Sequence, residues 1–212
     1  MVSVIISCWK RFNYMEEILQ TWINEPEVNE IFVWDNSGKF KSDLPIVVFN
    51  SQKNINPSVR YAIASMCKND TIIHCDDDVL PLTGITFDLL TYFDKESFLS
   101  VEGIDFIGNS YFDQKRVSSF DLDAPKTVEM VIGYLTMINK KHLLKWDYSK
   151  FSKYQLEMEL QIRLPKIKRV VVPTKNYREL GCGKDEFALH LQEEGRAIKE
   201  EMYCRFKKVY MV

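Results

Sequence analysis

The stretch Thr71-Ile-Ile-His-Cys-Asp-Asp-Asp-Val-Leu-Pro81 decides how this chain is read. Its first five residues, TIIHC, are an apolar, β-branched run too short for a helix, as expected of a buried strand. The run ends in three adjacent carboxylates, Asp76, Asp77 and Asp78, which repel one another and push their own pKa values up unless a cation sits among them. A hard divalent ion is the natural partner. Side chains alternate along extended backbone, so Asp76 and Asp78 point one way and Asp77 the other, and two carboxylates can face one ligand. Such a site suits Mg2+ or Mn2+, which complete their shells with water and substrate phosphates.

Working upstream, Val2 to Ser7 (VSVIIS) reads as a first strand covered on both faces. Asn13 and Glu16 resemble a capping arrangement, and Met15, Ile18, Leu19, Trp22 and Ile23 form one stripe of a helix over 13–24, ahead of Pro26. Ile31 to Trp34 is a second strand and Ile46 to Phe49 a third. Asn56 and Pro57 open a second helix whose apolar face is Val59, Ala62, Ile63 and Met66, running to about Cys67. The alternation predicts a doubly wound α/β fold with a mixed, mostly parallel central sheet flanked by helices. In such a sheet the strand C-termini share one edge, where ligands bind. Three of these strand ends are polar: Ser7, Asp35 and the run Asp76 to Asp78. The plainer reading of Asp35 is an Asx turn through Asp35-Asn36-Ser37-Gly38.

Downstream the pattern is less regular. Strands are expected at 104–108, 116–120, 128–138 and 167–172, and helices at 140–146, 155–164 and 185–203. No repeat or low-complexity linker divides the chain. One compact domain over 1–212 is therefore expected, with the regular sheet in 1–100 and 101–212 packed on it.

Composition narrows the function. The 212 residues are 46% hydrophobic and 27% charged, the profile of a globular protein. Lys+Arg 28 against Asp+Glu 30 leaves a net charge of −2, with no cationic excess to release counterions from a nucleic acid. The five cysteines lack metal or redox spacing and read as free thiols in a reducing, cytoplasmic compartment. No apolar run approaches the roughly 18 residues of a membrane span, and Met1 to Cys8 is too short for a signal peptide.

Four blocks, VSVIISCWKR at 2–11, IFVWDNSG at 31–38, NINPSVRYAI at 54–63 and HCDDDVLP at 74–81, resemble in order and spacing the N-terminal blocks of GT-A nucleotide-sugar glycosyltransferases. IGYLTMINKKHLL at 132–144 and LEMELQIRLPKIKRVVVP at 156–173 resemble the family's acceptor-side segments. The likeness spans about 170 residues, and is to family-2 and exostosin-like members. It implies the GT-A fold, with a nucleotide-binding part in 1–100 and an acceptor-binding part in 101–212, and transfer of a sugar from a UDP-sugar to a glycan hydroxyl, assisted by Mn2+ or Mg2+. Glucose or a deoxyhexose such as rhamnose is the first expectation for the sugar.

Carried over by position, the resemblance implies that Ser7, Cys8 and Trp9 border the base and that Asp35 accepts a hydrogen bond from uracil. Arg60 lies near the base or diphosphate, Asp76 reaches the ribose, Asp77 belongs to the donor-binding run and Asp78 ligates the metal. The catalytic base falls on Glu157. Here Leu156 precedes it where the family more often has a second acid, so Asp185 or Glu186 in KDEFALHLQEEGR is a rival. Arg178 and Lys184, around Gly181-Cys182-Gly183, could neutralise the diphosphate. His190 could add a metal ligand, whereas His74 reads as core.

Two rival functions remain at this level. A nucleotidyltransferase would carry a glycine-rich phosphate loop near the N-terminus, but Ser7 to Asn13 contains no glycine. A non-catalytic nucleotide-sugar-binding module would keep the pocket and lack the base. The partly apolar tail Lys207 to Val212 is compatible with a further domain of a longer chain or with packing on this one.

Overall fold

The computed structural model describes residues 1–55, 58–151, 156–181 and 193–210. β1 (Val2–Cys8) uses both of its faces. Val2, Val4, Ile6 and Cys8 enter one core with Met15, Ile18, Leu19 and Trp22 of α1 (Phe12–Asn24). Ile5 enters a second core on the opposite face, and this two-sided burial is why the run reads as continuously apolar. β2 (Val28–Asp35) and β3 (Val47–Asn50) follow. α2 (Val59–Ala62) then tightens into a 3-10 turn, Ile63–Met66, and leads to β4 (Thr71–Asp76). These four strands are parallel, in the order β3-β2-β1-β4.

Beyond the acidic turn come β5 (Val79–Pro81), α3 (Ile85–Tyr92) and β6 (Ser97–Ser100). The sequence reading assigns nothing between Pro81 and residue 104. α3 is short, and its start is held from far away: the Glu25 carboxylate accepts the amide N–H of Gly84 at 2.7 Å and of Thr86 at 3.0 Å. β7 (Glu102–Phe106) and β8 (Gln114–Ser118) form a hairpin, followed by β9 (Lys126–Thr127), β10 (Met130–Val131) and β11 (Leu135–Asn139). α4 (Leu156–Arg163), β12 (Lys168–Val171), β13 (Tyr177–Glu179) and α5 (Glu193–Tyr210) complete the order.

The central sheet runs β3-β2-β1-β4-β11-β6-β12-β9, with β11 and β9 antiparallel to their neighbours. The second half is thus not an addition laid on the first: β11, β12 and β9 extend the same sheet. Residues 128–138 split into two strands because β10 pairs with β7 in a small sheet whereas β11 pairs with β4, and Ile132, Gly133 and Tyr134 make the step between them. The helix expected at 140–146 ends at His142, whose carbonyl accepts the Trp146 indole N–H instead of continuing a backbone ladder. Of the helix expected at 185–203, residues 185–192 lie outside the described residues, and α5 continues to Tyr210. No helix among the described residues is long and apolar enough to cross a membrane, and the cysteines among them are free.

Candidate functional site

Register places the strand ends side by side. Ser7 of β1 pairs with Asp76 of β4 and with Trp34 of β2, and Trp34 pairs with Phe49 of β3. Cys8 and Asp35 are partners one step further on. From α2, Arg60 reaches this edge: its Nη1 lies 2.6 Å from Asp76 Oδ1, 3.2 Å from the Gly133 carbonyl and 4.0 Å from Glu157 Oε1 in the first turn of α4. Three expected site residues, Asp76, Arg60 and Glu157, therefore meet at this edge, although they come from three elements in two halves of the chain.

Gly133 makes room for this meeting. A Cβ there would fall on the Glu157 side chain itself, against Cγ, Cδ and Oε1. The sequence reading does not single out Gly133; the available signal was a glycine interrupting an apolar strand pattern, which marks close approach.

Arg60 is only 7% exposed. Burial works against its charge, but Asp76 and Glu157 outweigh burial and push its pKa up. Burial also pushes Asp76 up, to about 7, against the pull of Arg60 and with added repulsion from Asp78, Glu157 and Asp77.

Asp77 faces away. It is buried, its Oδ2 accepting the Trp9 amide N–H at 2.7 Å and its Oδ1 the Arg11 guanidinium at 2.8 Å. Arg11 also lies 3.2 Å from Asp78 Oδ2. Asp77 thereby anchors the loop after β1, where Lys10 adopts φ +66. Its carboxylate, expected among the donor-binding residues, is turned into that loop. Burial pushes Asp77 up, opposed by the Trp9 amide and Arg11. Asp76 and Asp78 are partly exposed.

Asp35 departs furthest from the base-binding expectation. It has no exposed surface, and its Oδ1 accepts from the Ser37 amide at 2.8 Å and the Ser37 hydroxyl at 2.7 Å. Oδ2 accepts from the amides of Lys39 at 2.6 Å and Phe40 at 2.7 Å. Those four bonds fill the roughly four acceptor sites of a carboxylate, leaving none for uracil. Gly38 completes the turn at φ +67, where an added Cβ would meet the Ser51 carbonyl at 2.8 Å.

The remaining residues at this edge are less committed. Ser7 Oγ is buried with no hydrogen-bond partner among the described residues. Cys8 is buried, and burial with Asp77 and Asp35 nearby pushes its thiol pKa up, so it presents no thiolate. Trp9 is half-buried, with Lys10 Nζ 4.8 Å from its ring centroid. Trp34, half-buried, stacks on Phe49 at 6.0 Å while its indole N–H donates to Asn36 Oδ1. His74 is core: burial and Arg60 push its pKa well down, and Tyr61 packs edge-on at 4.6 Å. Arg178 is exposed and lies 3.8 Å from Glu17. The Leu180 amide donates to the Asp78 carbonyl at 2.9 Å, tying the chain just before Gly181 to the acidic turn. Lys184, Asp185, Glu186 and His190 lie outside the described residues.

No group of three or more His, Cys, Asp or Glu side chains that could hold a metal ion occurs among the described residues. Asp78 and Asp76 still fit a hard divalent ion, because one or two carboxylates with water and phosphate oxygens make such a shell. The strained ionisation of Asp76 is what added positive charge would relieve.

No family model matches the chain, and no curated protein matches it either. Solved structures do resemble it. The crystal structure of GalNAc-T7 with UDP, GalNAc and Mn2+ superposes with a TM-score of 0.61 at 14% identity, over 82% of this chain and 42% of that one. The crystal structure of S. aureus TarS 1-349 gives 0.58 at 14% identity, over 98% of this chain and 71% of that one. The chain thus spans less than half of the GalNAc-T7 structure. At these identities the likeness establishes the fold, a mixed α/β GT-A architecture with a large, mostly parallel sheet flanked by helices.

Proposed function

We propose that the protein is a glycosyltransferase that moves a sugar from a UDP-sugar to a hydroxyl of a glycan acceptor. One observation carries the reading: on a GT-A fold, an acidic turn at the strand-end edge and a carboxylate from α4 converge through one buried arginine. The GalNAc-T7 structure, which contains UDP, GalNAc and Mn2+, supports the choice of donor and metal. Ser7 and Trp9 border the donor, Asp76 reaches its ribose, and Lys184 adds positive charge near the diphosphate. The orphaned Ser7 hydroxyl supports a polar ligand at this edge. A divalent cation, Mn2+ or Mg2+, held at Asp78 with Asp76 beside it, would supply positive charge to the departing diphosphate.

Glu157 is the base. It takes the proton from the acceptor hydroxyl while that oxygen bonds to the sugar's anomeric carbon; the bond to the diphosphate breaks, and its electron pair leaves with UDP. Attack from the face opposite the leaving group inverts the anomeric centre. The buried, unpaired cysteines Cys8, Cys67 and Cys75 suit a reducing, cytoplasmic compartment.

Calorimetric titration of UDP and several UDP-sugars, with and without Mn2+, tests the donor site. Binding that requires both Mn2+ and Asp78, lost in Asp78→Ala, is the expected result, and the same titration ranks glucose-like and deoxyhexose donors. If no uridine nucleotide binds under any metal condition, the reading fails. Binding without transfer or donor hydrolysis would favour a non-catalytic module instead.

A further inference from the structure

We infer that Arg60 and Gly133 form a seat that positions the Glu157 carboxylate at the donor edge, Arg60 by charge and Gly133 by the volume it leaves open. This inference rests on the reading of Glu157 as the base and gives Arg60 a role other than gripping the nucleotide. Arg60 is nearly enclosed, and its Nη1 is already occupied by Asp76 at 2.6 Å and the Gly133 carbonyl at 3.2 Å, with Glu157 at 4.0 Å. The guanidinium so placed is paired with Asp76 and lies at ion-pair distance from Glu157, so its charge attracts carboxylates from both halves of the chain.

The second half of the seat is steric. The Glu157 side chain fills the space where any other residue at 133 would carry its Cβ. Gly133 also lies in the step between β10 and β11, which pair into different sheets, and its carbonyl accepts from Arg60. Leu135 pairs with Cys75 across β11 and β4, and the Asp76 amide donates to the Tyr134 carbonyl at 2.8 Å. The acidic turn and the seat of Glu157 are therefore joined through the backbone of residues 134 and 135. Arg60 and Gly133 act through Glu157 and are positioning residues.

Because Gly133→Ala displaces Glu157 without touching Asp78 or the loop at Trp9, it should lower kcat by about 100-fold, the cost of misplacing a reacting group by about 1 Å. The Kd for the UDP-sugar should stay within about threefold, well below that factor. Arg60→Met should lower kcat as well, but it also releases Asp76, which the reading places at the ribose and beside the cation, so its donor Kd should rise too; Arg60→Lys should restore part of the kcat. In a Glu157→Gln background, Gly133→Ala should cost little further kcat, since the group it makes room for is already gone.

In Gly133→Ala, a rise in donor Kd in step with the loss of kcat would overturn the inference. Full activity in Gly133→Ala, or additive losses with Glu157→Gln, would overturn it as well. Urea unfolding of the Arg60→Met and Glu157→Gln cycle provides a readout independent of activity. Coupling should change the unfolding constant by about threefold or more, and no coupling would refute the seat. If the wild-type chain transfers no sugar yet shows this coupling, the functional reading fails and the seat stands.

Discussion

The sharpest separation between local structure and ligand recognition is at Asp35. Asp35→Asn removes one of two acceptor oxygens and puts an NH2 donor against N–H groups that need an acceptor. Depending on the amide's orientation, the pair left facing it is Ser37 N–H with its hydroxyl, or the amides of Lys39 and Phe40. The side chain is fully buried, and leaving a buried donor unsatisfied costs about 1–3 kcal/mol. Two such donors, partly relieved where Lys39 is exposed, give a loss of about 2–4 kcal/mol. For a chain of this length that is a fall in Tm of about 4–16 °C, measurable by thermal unfolding followed by circular dichroism. UDP affinity in the surviving folded protein should fall much less than in Asp78→Ala. The reasoning would be refuted by a Tm within about 2 °C of wild type together with loss of UDP binding, because that pair of results describes a carboxylate free to meet a base.

Asp77→Ala should cost about 2–3 kcal/mol, since it strands the Trp9 amide and takes one partner from Arg11. UDP affinity should drop with it as the loop after β1 loses its anchor; a stable variant with unchanged affinity would show that Asp77 anchors nothing. Cation binding should depend on pH through Asp76. Its folded-state pKa, about 7, lies above the roughly 3.9 of an unfolded aspartate. Without a cation, its contribution to stability is therefore lost as pH rises through that window. A cation must displace the proton, so below pH of about 7 its affinity should weaken by up to about tenfold per unit. Without nucleotide, whose terminal phosphate itself titrates at about pH 6, Mn2+ should raise Tm more at pH 8 than at pH 5.5, and Asp76→Asn should abolish the difference. Equal shifts at both pH values would count against Asp76 lying beside the cation.

The regular half of the fold was legible because its signals are local. β1, β2 and β4 are apolar runs covered on both faces, and their polar ends follow from strand direction alone. Parity along extended backbone separated Asp77 from its neighbours, and the structure buries Asp77 while leaving Asp76 and Asp78 partly exposed. At Asp35 the turn chemistry of Asp35-Asn36-Ser37-Gly38 prevails in the structure: the backbone amides of residues 37, 39 and 40 and the Ser37 hydroxyl hold the carboxylate.

What stayed hidden depends on residues distant in sequence. α3 is capped by Glu25, which carries no local mark of that task. β11 reads as a strand from its own residues, but nothing in them says that it inserts beside β4. That insertion brings Gly133 against Glu157 and lets Arg60 touch both. The missing second acid at Leu156 weakened the sequence case for Glu157, whereas the absent side chain at Gly133 strengthens it. On the proposed reading, the room cleared at Gly133 specifies Glu157 as much as the acids beside it do.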